Sequence, residues 1–236
     1  PRAETVSWRV QKRGKTPAHF PGWRQILDVV QPQLRVQVST AALAEGNSLE
    51  LLDALAERFP DGCFDGIFAD PPYFLSNGGI TCHAGKMVKV DKGDWDKSQG
   101  PELNHEFNTE WLKRCQRVLK PNGSIWVTGT QHVIFSVGYA MQQLGMKILN
   151  DITWEKPNPP PNLSCRYFTH ATETVLWAAK DERSKHTFNY KLMREHAGGK
   201  QMKSVWRLSA PGTAGRSGRR NMTTSIPSSR AASILA

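Results

Sequence analysis

Cysteines and long hydrophobic runs are scarce in this chain of 236 residues, and both shortages exclude whole classes of protein. The four cysteines stand far apart and form no Cys-x-x-Cys pair, so the spacing indicates neither a metal site nor a disulfide framework. No stretch approaches the ~20 apolar residues of a membrane span. The basic N-terminus lacks the apolar segment of a secretory signal. We therefore expect a cytoplasmic protein in a reducing environment.

Acidic residues are also in short supply. Asp and Glu total 21 against 31 Lys and Arg, which gives a formal net charge of +10. Such an excess favours a polyanionic partner, with nucleic acid first and an anionic membrane surface second. Because many basic proteins bind no specific partner, the charge does not identify the function by itself.

The chain is organised around one stretch, Phe64–Tyr73, in which an apolar run ends in Asp-Pro-Pro-Tyr. Continuous hydrophobic residues are typical of a buried parallel strand. Pro71 and Pro72 cannot donate to a strand ladder, so the strand has to end at Asp70. This places the tetrad just beyond the carboxyl end of a strand, where open α/β sheets bind their ligands.

The tetrad suits chemistry on the amino group of a nucleobase. Such an amine is a poor nucleophile, because its lone pair is delocalised into the ring, and it needs acceptors for its N–H bonds. Asp70 and the carbonyl of Pro71 are such acceptors, Pro72 stiffens the turn, and Tyr73 offers a flat face for an extruded base. On spacing alone, a rigid turn with no catalytic role is the competing interpretation.

Alternating periodicities around this stretch predict a doubly wound α/β sheet. Ser48 is the expected N-cap of the first helix, and residues 74–100 are expected to form a long loop near the site. The predicted elements are a helix over 48–59, a strand over 64–70, a helix over Glu102–Leu119, a strand over Ser124–Thr128, a helix over Gln131–Leu144, strands over Met146–Trp154 and Glu173–Ala179, and a short segment over Ser204–Ser209.

Composition divides the chain into three parts. Residues 1–35 form a basic, proline-interrupted extension, 36–209 the main domain with a recognition segment over about 155–205, and 210–236 a disordered tail rich in Gly, Ser, Ala and Arg. Polar side chains of the main domain are candidates for contacts with nucleic acid: Lys97, Asn158, Asn162 and Arg166. The proline-rich segment that carries three of them suits a rigid linker equally well.

The chain closely resembles the β-class DNA adenine-N6 methyltransferases, nearest to the Dpn-type and Hinf-type enzymes and the cell-cycle-regulated methyltransferases. The resemblance covers roughly residues 40–209. The matching motifs follow one another in the family's order: Phe68–Tyr73, Asp94–Lys97, Trp111–Leu112, Val118–Lys120, Gly123–Val127, Ile148–Trp154, Asn158–Pro159, Pro161–Asn162, Glu173–Trp177 and Ser204–Trp206.

This resemblance implies a permuted Rossmann-like fold that uses S-adenosylmethionine to methylate adenine in a short DNA site, GATC first and GANTC second. It implies that Asp70 and the carbonyl of Pro71 accept from the target amine and that Tyr73 stacks on the flipped adenine. Asp70, Pro71 and Asn47 are the candidate cofactor contacts. DNA, a homodimer partner and a cognate restriction endonuclease are the expected partners.

One departure from the family pattern affects the expected activity. After Trp206 the family has an apolar strand ending in a Phe-x-Gly-x-Gly cofactor loop, and that motif is absent here. We therefore expect an incomplete C-terminus, read out of frame after about Pro211, with the strand of Asp70 at an open sheet edge. This expectation predicts weak or absent methyl transfer by this chain alone.

Two alternatives stay open on the sequence. One is a non-catalytic DNA-binding remnant or one half of a split enzyme. The other is methylation of a different planar amide or amine, on ribosomal RNA or a glutamine side chain. Enzymes of the latter kind usually place the cofactor loop before the tetrad, and no such loop precedes residue 64.

Overall fold

The computed structural model describes residues 47–76 and 96–208 in full, and the backbone of residues 80–83, 86–89 and 232–235. The predicted extension over 1–35 and most of the predicted tail lie outside the described residues. The helices are α1 (Ser48–Arg58), α2 (Pro101–Val118), α3 (Ile134–Gln143) and α4 (Tyr190–His196). The strands are β1 (Phe64–Asp70), β2 (Ile80–His83), β3 (Lys86–Lys89), β4 (Leu119–Gly129), β5 (Lys147–Glu155), β6 (Thr172–Ala179), β7 (Val205–Arg207) and β8 (Ala232–Leu235).

Six strands form one mixed sheet in the order β7-β5-β6-β4-β1-β8. Strand β1 is parallel to β4 and to β8, and β7 is parallel to β5, whereas β6 runs antiparallel to both β4 and β5. The reversal of β6 follows from its connection, because a loop without a crossover helix joins β5 to β6. The predicted α/β sheet is therefore present, with one strand reversed.

The sheet is buried on both faces. One face packs against α1, α2 and α3 through alternate strand residues such as Ile67, Ile125 and Leu176. The intervening residues face the other side, where Phe68, Trp126, Trp154, Trp177 and Trp206 form an aromatic cluster. Residues 66–69 of β1 are all buried, which agrees with the continuous apolar run that predicted this strand.

Strand β1 is fixed against β4 from its first residue. The turn before it ends at Gly62, whose φ is +83°, and a Cβ there would lie 2.3 Å from the carbonyl oxygen of Leu119. Only glycine tolerates both the backbone angle and that approach. The next residue, Cys63, donates from its amide to the carbonyl of Val118 at 2.9 Å. The parallel pairing continues to Ala69↔Val127, which leaves Asp70 and Thr128 side by side at the carboxyl ends of the two strands.

Two predicted boundaries were wrong for local reasons. The first helix is capped by Asn47 rather than Ser48, since the Asn47 side chain accepts from the amide of Leu49 at 3.0 Å. Strand β4 starts at Leu119 instead of Ser124. It takes up residues 121–123 as an irregularity, because its register with β1 jumps from Phe64↔Leu119 to Gly66↔Ser124.

Two further expectations concerned segments beside the site. The predicted loop over 74–100 contains an antiparallel hairpin, in which Ile80 pairs with Lys89 and His83 with Lys86. The predicted open edge beside β1 is wrong in this structure, because β8 pairs with β1 from Ile67↔Ala232 to Asp70↔Leu235. The expectation that residues 210–236 lack a strand is corrected for these four residues by the same pairing.

No helix among the residues that the structure describes combines the length and the apolar character needed to cross a membrane.

Candidate active site

Asp70 is the last residue of β1, and hydroxyl groups from two different segments converge on its carboxylate. Thr128 of β4 donates to Oδ1 of Asp70 at 2.8 Å, and the hydroxyl of Tyr73 donates to the same oxygen at 2.8 Å. Hydrogen bonds to a charged acceptor are stronger than neutral ones, so both hydroxyls fix the carboxylate in one orientation. The predicted strand end is confirmed, and the sequence reading missed the part played by Thr128.

The turn that follows Asp70 is held by a second, fully buried carboxylate. Oδ1 of Asp96 accepts from the amides of Tyr73 and Phe74, both at 2.9 Å. Oδ2 accepts from the hydroxyl of Ser76 at 2.7 Å and from the amide of Leu75 at 3.3 Å. A buried charge is tolerated only when donors surround it, and here four donors do so. Asp96 therefore shapes the Asp-Pro-Pro-Tyr turn, although 23 residues separate it from Tyr73.

Backbone strain at Phe74 has the same support. Its φ of 56° lies in the left-handed region, which an aromatic residue rarely adopts. The hydrogen bond from its amide to Asp96 stabilises that conformation. Its ring packs edge-on against Phe107 of α2, with the ring centroids 6.1 Å apart. The turn is thus held by two contacts, one with Phe107 of α2 and one with Asp96.

The phenol of Tyr73 lies in a poorly solvated and negatively charged environment. Burial raises its pKa well above the ordinary value, and the nearby carboxylates of Asp70 and Glu173 raise it further. The phenol therefore stays protonated and remains a hydrogen-bond donor to Asp70. The start of β6 lies near the tetrad, since Val175 of β6 pairs with Thr128.

The predicted tetrad is brought together as one turn, with Pro71 and Pro72 buried behind it. Asn47, the other predicted cofactor contact, caps α1 instead. Its side-chain oxygen accepts from Leu49, and its amide nitrogen donates to Glu50 at 3.2 Å. Both polar ends of Asn47 are therefore engaged within the first turn of the helix, and its role toward a cofactor stays a prediction.

The predicted nucleic-acid contacts lie on two segments. Lys97 is exposed and follows Asp96 directly, which places it beside the tetrad turn. The other three lie on the loop between β5 and β6, residues 156–171, where Asn158 and Arg166 are exposed. Asn162 instead organises this loop, since its amide nitrogen donates to the carbonyl of Tyr167 at 2.6 Å and its oxygen accepts from the amide of Ser164 at 3.0 Å.

Comparison with known proteins identifies the class to which this fold and site belong. The family model described as DNA methylase, for enzymes of the N6 and N4 type, matches residues 64–227. This range starts at β1 and includes the Asp-Pro-Pro-Tyr turn, Asp96 and Thr128. The chain belongs to this DNA methylase family, and the family membership predicted from the motifs is confirmed.

Curated relatives agree with this assignment. The type II methyltransferase M2.DpnII of Streptococcus pneumoniae is 62% identical over 143 residues, which are 60% of this chain and 53% of the relative. M2.LlaDCHI of Lactococcus lactis subsp. cremoris is 57% identical over 167 residues, 70% of this chain and 61% of the relative. The chain thus spans between about half and two thirds of the length of these relatives.

A solved structure supports the fold. The PvuII DNA methyltransferase, described as cytosine-N4-specific, matches with a TM-score of 0.54 at 21% sequence identity. The match covers 77% of this chain and 61% of that chain. The likeness confirms the predicted Rossmann-like α/β architecture.

Proposed function

We propose that this protein is a site-specific DNA methyltransferase that transfers a methyl group from S-adenosylmethionine to N6 of adenine. GATC is the first candidate site and GANTC the second, following the resemblance of the motifs to Dpn-type and Hinf-type enzymes. One observation carries the proposal. The carboxylate of Asp70 is held by Thr128 at the end of a buried parallel strand, beside a rigid Pro-Pro turn.

The proposed role of Asp70 is to orient the target amine. An ionised carboxylate only accepts hydrogen bonds, and the carbonyl of Pro71 offers a second acceptor one residue further on. Two acceptors on the N–H bonds draw the nitrogen toward a tetrahedral geometry and stabilise the positive charge that develops on it. No residue of the turn needs to form a covalent intermediate.

The hydrogen bond from Tyr73 to Asp70 bears on the second proposed role, stacking on an extruded adenine. While the phenol donates to Asp70, its ring is held beside Asp70 in one orientation rather than free to rotate. A fixed aromatic face costs little entropy when a base stacks on it. The proposal is that Tyr73 holds the face of the base while Asp70 and Pro71 accept from its edge.

The described residues fit one side of a site for the methyl donor. The carboxyl ends of the parallel strands β1 and β8 lie together, as expected for a ligand site in an α/β sheet. Asp70 and Pro71 supply oxygen acceptors there, which suit the ammonium group of a methionine moiety. When bound, the donor supplies an activated methyl group. The residues of this chain bind and orient the amine that receives it.

The partners follow from the same proposal. DNA is the substrate, and the net charge of +10 suits its phosphate backbone. The curated relatives are named type II methyltransferases, which supports a cognate restriction endonuclease as a functional partner. A homodimer is proposed only from the family resemblance.

A methylation assay tests the proposed function. The full chain is incubated with labelled S-adenosylmethionine and unmethylated duplexes that contain GATC, GANTC or a scrambled site, and the product base is identified after digestion. We expect N6-methyladenine in GATC duplexes. Label in N4-methylcytosine, or equal label in the scrambled duplex, would contradict the proposal.

A further inference from the structure

We propose that the loop joining β5 and β6 inserts the ring of Phe168 into the DNA base stack and so opens the duplex beside the target base. This inference rests on the proposed function and assigns it a new residue. Phe168 is 96% exposed, although it is a large apolar side chain. Leu163 and Tyr167 on the same loop are 50% and 60% exposed. We call these three exposed side chains of one loop the apolar patch, and so much exposed apolar surface on a single loop indicates an interaction surface.

The tip of the loop is built to present this patch in one conformation. Four prolines lie within residues 157–161, and they restrict the backbone angles in the first part of the loop. Asn162 closes the tip through hydrogen bonds to Tyr167 and Ser164, and Cys165 takes a left-handed φ of 53° within that turn. Little conformational entropy therefore remains to be lost when the tip binds, which is the advantage of a preorganised contact.

The base of the loop fixes its position at the edge of the sheet that carries Asp70. The amide of Lys156 donates to the carbonyl of Ala171 at 2.7 Å, and its ammonium pairs with Glu173. Since β6 pairs with β4 up to Gly129↔Thr174, the loop rises next to the end of β4. Phe168 precedes Glu173 by five positions, so the chain between their Cα atoms spans at most about 17 Å. That reach corresponds to about five base steps of 3.4 Å.

The charge of the loop favours DNA as the occupant over a protein partner. No acidic residue lies between Glu155 and Glu173, whereas Arg166 is exposed beside the patch. A cation next to exposed aromatic rings suits a phosphate backbone with stacked bases. Apolar side chains inserted between base steps unstack them, and a base must leave the stack before an enzyme can act on its amine. Phe168 thus supplies the unstacking, and Arg166 the backbone contact.

The experiment uses the full chain and duplexes that contain GATC with 2-aminopurine at the target adenine, without the methyl donor. The fluorescence of 2-aminopurine rises when the base leaves the stack. We expect Phe168→Ala to abolish most of this rise and to weaken duplex binding about tenfold. We expect Phe168→Trp, which keeps a ring, to retain the rise. Phe59→Ala is the matched control, because Phe59 is exposed at the end of α1, away from the site.

A second substrate distinguishes insertion of the Phe168 ring into the base stack, which we call the wedge, from an ordinary surface contact. In a duplex with a mismatch at the target base, the stack is already disrupted, so Phe168→Ala should bind it within about twofold of the unsubstituted chain. Arg166→Gln should weaken binding to both duplexes equally and reduce the salt dependence by about one phosphate contact. Equal losses on both duplexes for Phe168→Ala, or no duplex opening by the unsubstituted chain, would overturn the wedge. If Phe168→Ala still opened the duplex fully and still transferred methyl groups, the wedge would be overturned and the proposed function would remain intact.

Discussion

Thr128 of β4 donates its hydroxyl to Asp70 of β1 at 2.8 Å, so two neighbouring strands fix the carboxylate on which the proposed chemistry depends. Thr128→Val keeps the shape of the side chain and removes this donor. Because a hydrogen bond to a charged group contributes about 1.5–3 kcal/mol, we expect methyl transfer to fall at least tenfold. The assay is single-turnover transfer. Thr174→Val on β6 is the control and should leave the rate unchanged.

Asp96 makes the tetrad turn dependent on a distant residue. Asp96→Ala would leave the amides of Tyr73, Phe74 and Leu75 and the hydroxyl of Ser76 without their acceptor. We expect a loss of about 3 kcal/mol or more in the free energy of unfolding, measured by urea denaturation. The exposed Asp61→Ala should change it by no more than about 0.5 kcal/mol. Similar values for the two variants would show that Asp96 does not support the turn.

Two buried tryptophans give a matched test of hydrogen bonding in the core. The indole N–H of Trp111 donates to Oδ1 of Asn108 at 3.0 Å, whereas the buried indole N–H of Trp126 finds no partner among the residues that the structure describes. Both changes to Phe remove a similar volume, but only Trp111→Phe breaks a hydrogen bond. We expect it to destabilise the protein by about 1–2 kcal/mol more than Trp126→Phe in urea denaturation. A larger loss for Trp126→Phe would contradict this account.

The raised pKa of Tyr73 predicts a specific alkaline behaviour. Above the ordinary tyrosine pKa of about 10, the unfolded chain releases this proton while the folded chain keeps it. The contribution of the protonated Tyr73 phenol to the free energy of unfolding is therefore complete below about pH 10, and it is lost as pH rises toward the folded-state pKa. We expect the free energy of unfolding to fall less steeply with pH in this window for Tyr73→Phe than for the unsubstituted chain. Identical pH profiles would contradict the assigned environment of the phenol.

The sequence predicts the elements whose signals are local. The apolar run before Asp70 is buried as expected, and the predicted helix over Glu102–Leu119 buries Trp111, Cys115 and Val118. The antiparallel direction of β6 could not be predicted from the sequence, because the pattern of buried residues in a strand does not show which way the strand runs. The open edge was wrong because residues 232–235 are too short and too lacking in pattern to reveal a strand that long-range pairing creates.

In the candidate site, too, local motifs could be predicted from the sequence, whereas contacts that form only on folding could not. Residues 70–73 form a contiguous motif, so spacing is enough to single them out as candidates. Thr128 and Asp96 contact the motif only after the chain has folded, and a single sequence holds no signal for such contacts. The one available hint was that Asp96 belongs to the matching motif Asp94–Lys97. Asn162 is predicted as a nucleic-acid contact; in the structure its polar atoms organise the loop, and its role toward nucleic acid stays a prediction.

The most direct test of the central claim compares methyl transfer by the full chain and by Asp70→Ala on the same unmethylated GATC duplex. The account predicts label in adenine N6 for the unsubstituted chain and a loss of at least about a hundredfold in Asp70→Ala, because one orienting acceptor is removed from the reacting amine. Unfolding curves that coincide would show that the loss is not due to instability. Equal transfer by the two proteins would contradict the claim that Asp70 holds the target amine.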